Sequence, residues 1–170
     1  MSDIVVRLLL EEDWQTYRQA RLDALQDSPD AFAASYEDEE KLDESEWRDR
    51  MNRSRRLLAE KDGETVGVVS VGSRPDTDDR TTELFGLWVV PQQRGSGVAW
   101  QLVKAGARQA GDDGFGFLAY WVGTDNGRGV AFASSFGFRP TDARRPMRVG
   151  GGDEDEEMRM IYSLHDPVNE

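Results

Sequence analysis

The chain has 170 residues, no cysteine, one histidine and a formal net charge of −12. The length suits one domain spanning 1–170 with a substantial core; the lack of Cys excludes disulfides and thiolate chemistry, and the lone His165 argues against a zinc site. The acidic balance disfavours nucleic acid and anionic membranes as nonspecific partners, and no apolar run reaches the length of a membrane span. The opening Met1-Ser2-Asp3-Ile4 lacks the basic start of a secretory signal, so a cytoplasmic location is expected. The overall charge would favour a cationic substrate such as an amine.

Residues 4–10 form an apolar strand candidate. Residues 11–26 carry Trp14, Tyr17, Leu22 and Leu25 on one helical stripe, and Ser28-Pro29-Asp30 ends it. The acidic stretch 31–43 has no clear period. Residues 44–52 predict a second helix, with Asp43 as its N-cap. Two strands, 56–60 and 65–72, flank the turn signal Lys61-Asp62-Gly63-Glu64. A polar loop covers 74–80, and a strand follows at 82–90. A third helix is expected over 96–110, with Ala99, Leu102, Val103, Gly106 and Ala110 inward. Then come a strand at 117–122, a fourth helix at 126–136, a strand beginning at 138, a glycine-acid loop at 150–157 and a last strand at 158–164. The order is that of an α/β protein.

Between the 82–90 strand and the third helix lies Gln92-Gln93-Arg94-Gly95-Ser96-Gly97. Glycines in a strand-to-helix turn let backbone N–H groups converge on one anion, and the helix adds its unpaired N–H groups and dipole. A pyrophosphate fits such a place. A P-loop would need Lys followed by Ser or Thr after the glycines, and none is there. A dinucleotide fingerprint would need a third Gly where Trp100 stands, and an acid where Phe115-Gly116-Phe117 stands.

The pattern Gln92-x-x-Gly95-x-Gly97 resembles the cofactor loop of the GNAT superfamily of acetyl-CoA-dependent N-acetyltransferases. About thirty residues on, Asn126-Gly127-Arg128-Gly129 through Phe136-Gly137-Phe138 resembles that superfamily's second signature. The segments Arg21-Leu22-Asp23-Ala24-Leu25, Pro29-Asp30-Ala31-Phe32 and Ser35-Tyr36-Glu37 look like a common bacterial group within it, where this region packs over the acceptor side. The resemblance implies the GNAT fold: a mixed central sheet of about seven strands, splayed in the middle, with about four helices. It also implies acetyl-CoA as co-substrate, no metal, and an amine acceptor, with a small molecule preferred over a protein N-terminus or lysine. Homodimers are frequent in the superfamily, so a homodimer is among the assemblies it allows.

By the same resemblance the pyrophosphate lies on Gln93, Arg94, Gly95, Ser96, Gly97, Val98 and Ala99. The pantetheine arm pairs with the backbone of Leu87, Trp88, Val89 and Val90, near Asn126 and Phe132. Gly86 is a candidate bulge residue, since Gly inside a strand often marks one. An amine of pKa near 10.4 is neutral in roughly one molecule per 10³ at pH 7, so a base is wanted. Glu83 is the candidate, with Glu37 as the weaker alternative. Many GNAT enzymes carry a Tyr four residues before the Gly of the Gly-Phe pair, as proton donor to the leaving thiolate. Here that position is Ala133. Ser134 is the neighbouring substitute, and the gap leaves open a non-catalytic acyl-CoA-binding module. An α/β protein holding another phosphate ligand is the third alternative.

Overall fold

The computed structural model describes residues 3–32, 34–75, 77–147 and 155–164. Of the expected glycine-acid loop, 150–154 lie outside the described residues, as does His165; residues 156 and 157 already belong to the last strand.

Among the described residues seven strands form one sheet: β1 (Ile4–Leu9), β2 (Arg55–Lys61), β3 (Glu64–Gly72), β4 (Thr81–Val89), β5 (Phe117–Gly123), β6 (Arg139–Pro146) and β7 (Glu156–Ser163). Their spatial order is β1-β2-β3-β4-β5-β7-β6, and every neighbouring pair is antiparallel except β4 with β5. The β2–β3 turn is closed by Asp62 and Gly63, both at positive φ, as a two-residue hairpin of primed type requires. Among the described residues five helices pack on the sheet: α1 (Trp14–Asp27), α2 (Tyr36–Glu40), α3 (Glu44–Arg53), α4 (Val98–Asp112) and α5 (Gly127–Phe136). The splayed seven-stranded mixed sheet is the expected one, with one short helix more than foreseen.

That extra helix, α2, lies in the acidic stretch without periodicity. Ser35 caps it, its Oγ accepting from the Asp38 N–H at 3.2 Å. Glu37, Asp38 and Glu39 then sit in its first turn, where the dipole favours negative charge. The first long helix also differs from its reading: Glu11–Asp13 form a separate 3-10 turn, and α1 proper starts at Trp14. The Asp43 cap on α3 is present, with its carboxylate accepting from the Glu46 N–H at 2.9 Å.

Alternation along the strands sends side chains to two faces. One face, with Leu57, Val69, Val71 and Leu84, packs against Val98, Leu102 and Val103 of α4. The other, with Leu58, Val68 and Trp88, packs against Tyr17, Ala20 and Ala24 of α1 and Trp47 of α3. Trp47 is fully buried, and Tyr17 meets it edge-on at 6.0 Å.

Two irregularities in β4 position everything that follows. Gly86 has φ +66, and the register with β3 slips between Val68 and Ser70, so that Gly86 and Leu87 oppose Val69 alone: a bulge. On the other side β4 pairs with β5 only at Thr81, Thr82 and Glu83. Past Glu83 the two strands separate while β5 continues against β7.

Candidate active site

The separation of β4 from β5 leaves the second half of β4 without a strand on that side. Val90 donates its N–H to Val66 O at 2.9 Å, across the β3 side. Alternation in an antiparallel pair then turns the groups of Val89 the opposite way, toward the gap. The Val89 carbonyl is taken there by Arg94 Nε at 3.0 Å. The Val90 N–H is therefore engaged within the sheet, whereas Leu87 sits in the bulge itself.

The turn after β4 runs through a 3-10 step, Pro91–Gln93, into α4. Gly95 and Gly97 both lie in the left-handed region, at φ +82 and +92. A Cβ at either would meet nothing within 4 Å, so the turn is glycine-bearing for its backbone angles and is open toward solvent. Gly97 is the N-cap of α4, and the first intrahelical bond runs from Gln101 N to Gly97 O. The N–H groups of Gly97, Val98, Ala99 and Trp100 thus precede the first helical donor. Ser96 closes back on the Gln93 carbonyl. Arg94 points away from the turn and ties it to α1, with Nη2 on Asp27 Oδ2 at 2.7 Å. Asp27 also accepts from Trp88 Nε1 at 2.9 Å. Hydrogen bonds from Ser28 and Trp88, then from Arg94, hold its carboxyl below the ordinary value.

Opposite the turn stands α5. Asn126 is its N-cap, with Oδ1 accepting from the Gly129 N–H at 3.0 Å. Phe132 is half-buried and meets Trp100 edge-on at 6.1 Å, bridging α5 to α4. Trp100 itself is 39% exposed. Ala133 is buried, while Ser134 lies on the exposed side of α5 and outside the cavity described next.

In front of β4, on the α1–α3 face, lies a cavity of about 660 Å³. Glu83 lines it and is only 4% exposed, so it is not a solvated strand-end acid. Its Oε2 is 3.8 Å from Arg74 Nε. Glu37 is exposed and not part of the wall. Phe32 lines the wall with the Arg21 guanidinium 5.0 Å over its ring.

The wall also holds groups that sequence reasoning missed. Tyr120 of β5 stands at the splay, and burial, then the Glu157 carboxylate, push its phenol above the ordinary value. Among the described residues six arginines line the cavity against three glutamates, a charge opposite in sign to that of the whole chain. Glu39 of α2 accepts two bonds from Arg21, at 3.0 and 3.1 Å, and one from Arg50 at 2.8 Å. Burial works to raise the Glu39 pKa, but the bonds from Arg21 and Arg50 outweigh it and leave the carboxyl below its usual value. A single sequence signal pointed inward: Arg56 shares the period-two face of buried Leu58. Among the described residues no cluster of three or more His, Cys, Asp or Glu is placed to hold a metal.

Comparison with known proteins accords with this geometry. The model of the Acetyltransferase (GNAT) family matches residues 10–138. An uncharacterised N-acetyltransferase of Archaeoglobus fulgidus is 30% identical, over 81% of this chain and 98% of its own. An N-acetyltransferase from Staphylococcus aureus Mu50 superposes with a TM-score of 0.72 at 19% identity, covering 96% of this chain and 99% of its own. The acetyltransferase yncA of Salmonella typhimurium, solved with acetyl-CoA, gives 0.71 at 17% identity, covering 96% and 95%. At such identities the two solved structures speak for the fold.

Proposed function

Because the chain belongs to the Acetyltransferase (GNAT) family and is thus an acyltransferase, we propose that it moves an acetyl group from acetyl-CoA to the primary amine of a small molecule, by direct attack and within a single domain spanning 1–170. The observation that carries the reading is the pairing of two open features on one strand. Past Glu83, β4 loses its neighbour β5, and at its end the chain turns through two left-handed glycines into a helix N-terminus. The residues fit the co-substrate. The turn offers convergent N–H groups for a pyrophosphate, and the β4 edge offers backbone groups for an amide-bearing arm. The Salmonella protein of the same fold was solved with acetyl-CoA.

When bound, the co-substrate supplies an acetyl thioester. The residues to hold it are Gln93 to Ala99 for the pyrophosphate, Leu87 to Val90 for the arm, and Asn126 and Phe132 on the facing helix. Within that set Arg94 acts through its tie to Asp27, fixing the turn against α1. The N–H of Val89, facing the gap, is placed to hold negative charge that develops on the acyl oxygen. Glu83, buried in the cavity floor, takes the proton of the attacking amine, directly or through water. With no Cys in the chain, no thiolate serves as a covalent relay. To return a proton, Tyr120 is on the cavity wall and burial keeps it protonated, whereas Ser134 faces outward. The compartment that fits this chemistry is the cytoplasm, where acyl-CoA is made and used.

The test is thermal unfolding with acetyl-CoA, with ATP and NAD as controls, followed by thiol release in the presence of amines. At about 100 times Kd the co-substrate adds roughly 2.7 kcal/mol, which for this size raises Tm by about 5–10 °C. The absence of Cys keeps the thiol assay free of protein background. A folded sample that ignores acetyl-CoA would sink the proposal.

A further inference from the structure

Among the described residues the cavity wall carries more positive charge than its carboxylates neutralise. Arg21 and Arg50 share one acid, Glu39. Arg56 is 6% exposed and lines the cavity, yet among the described residues it meets no carboxylate. Its Nε and Nη2 donate to the Arg50 carbonyl at 3.2 and 2.9 Å, and its Nη1 donates to Ser70 Oγ at 2.7 Å. A guanidinium has five N–H groups. Three are used, which leaves one on each terminal nitrogen. The planar ion is held between Tyr17 and Phe85, 4.8 and 5.7 Å from their centroids. Both contacts favour a cation but neither cancels its charge.

A buried charge without a counter-ion is costly. Burial accordingly pulls the Arg56 pKa down, with nearby Arg50, Arg21 and Arg53 adding repulsion. The fold maintains this group by pinning it to the end of α3 and to β3, and its side chain lines the cavity. Arg53, exposed at the same rim, adds a further cation. Arg56 faces Ser70, and Ser70 faces Phe85, in register across three strands. At about 4.8 Å per strand this places its backbone roughly 10 Å from that of Phe85, on the face that also presents Glu83 two residues along β4. One cavity therefore has a cationic end and a charge-balanced end, where Glu83 stands beside Arg74.

We propose that the acceptor is an amine that also carries a carboxylate, with the carboxylate bound by Arg56 and its amine directed toward Glu83. The inference rests on the reading that this cavity takes the acceptor. Arg is suited to the task because its fork binds both oxygens of a carboxylate at once. The overall charge of the chain pointed toward a plain cation; the cavity selects a zwitterion. A plain polyamine would have to place a second cation among the arginines.

The experiment is calorimetric titration of the full chain, alone and with CoA, against matched pairs. Each pair is a free amino acid and its carboxamide, with tyrosine against tyramine and ornithine against putrescine added. At least one carboxylate-bearing member is expected to bind ten times more tightly, or better, than its neutralised partner. Arg56→Lys, which keeps charge but loses the fork, is expected to reduce that ratio at least threefold. Because Arg56 also ties down α3, the paired comparison on the unmodified protein stands by itself if the variant fails to fold. Equal or tighter binding of carboxamides, tyramine or putrescine would overturn the proposal, and so would a panel in which no carboxylate-bearing amine binds. Binding of the zwitterion without any thiol release would leave the anion site standing and remove the acetyl-transfer reading instead.

Discussion

The turn after β4 and the cavity in front of it adjoin one strand but are made of different materials. The turn is backbone: two glycines at positive φ and a helix N-terminus, with its one charged side chain, Arg94, facing away to Asp27. The cavity is side chain: arginines and glutamates from α1, α2, α3, β2 and β4 that meet only when the chain has folded. A backbone site recognises a group common to every reaction of its kind, because N–H geometry varies little with sequence. A side-chain site can be rewritten one residue at a time, and so is where acceptor choice resides. Substitutions in the two regions should therefore fail differently, the cavity in turnover and acceptor affinity, the turn in co-substrate affinity.

The largest expected effect is that of Glu83→Gln. Removing a general base costs about 10²–10⁴ in rate, so kcat/KM should fall within that range while acetyl-CoA affinity, read from the thermal shift, stays within about twofold. A matching loss of acetyl-CoA binding would mean that Glu83 belongs to the co-substrate side, and the division between the two regions would collapse.

Next comes Glu39→Gln. It leaves Arg21 and Arg50 facing one another without their shared charge. Breaking a buried pair costs about 3–5 kcal/mol, and because both arginines are about a fifth exposed the low end is expected. The pH dependence fixes the cause. The Glu39 pKa is depressed in the folded state, so its contribution is complete above the unfolded-state value near 4.5 and is lost as pH falls through the folded one. The Tm difference between wild type and variant should therefore be largest near neutral pH and shrink below about pH 4.5. A difference that stays constant down to pH 3 would show that Glu39 acts by packing alone.

Gly97→Ala sharpens the comparison from the other side. At φ +92 an L residue costs about 1–2 kcal/mol, which lowers Tm by about 2–8 °C. Acetyl-CoA affinity should drop severalfold, with no change in how amines are ranked as acceptors. A changed ranking would mean that the turn helps form the acceptor site.

How much of this was visible in the sequence follows the same division. The glycine turn, the Asp62-Gly63 hairpin and the cap at Asp43 are local: the residues that define each lie within a few positions of one another, and their backbone demands are specific. The Gly86 bulge was signalled by a glycine inside an apolar strand. The acidic helix α2 was not legible, because its five residues are too few to show a period, and only Ser35 with an acid three residues on marked it. The cavity was least legible of all. Arg21, Arg50 and Arg56 come from separate elements; Arg21 and Arg50 each look like a solvent-facing cation, and only the period-two face that Arg56 shares with Leu58 points inward. Ser134 is next to Ala133 in sequence, yet one step along a helix turns a side chain about 100°, and it faces outward.

The smallest effect tests whether α5 sides with the backbone region. Asn126 Oδ1 caps the helix through Gly129, so Asn126→Ala should cost about 1 kcal/mol and lower Tm by about 2–4 °C. Asn126→Asp keeps a cap acceptor and should restore most of that stability. If the residue serves only as a cap, acetyl-CoA affinity recovers together with Tm. If the Asn126 amide N–H also donates to the co-substrate arm, the Asp variant recovers Tm but not affinity, since a carboxylate has no hydrogen to give. In that case the co-substrate region includes one side chain whose identity matters, and the division between backbone recognition and side-chain recognition ends at the mouth of α5.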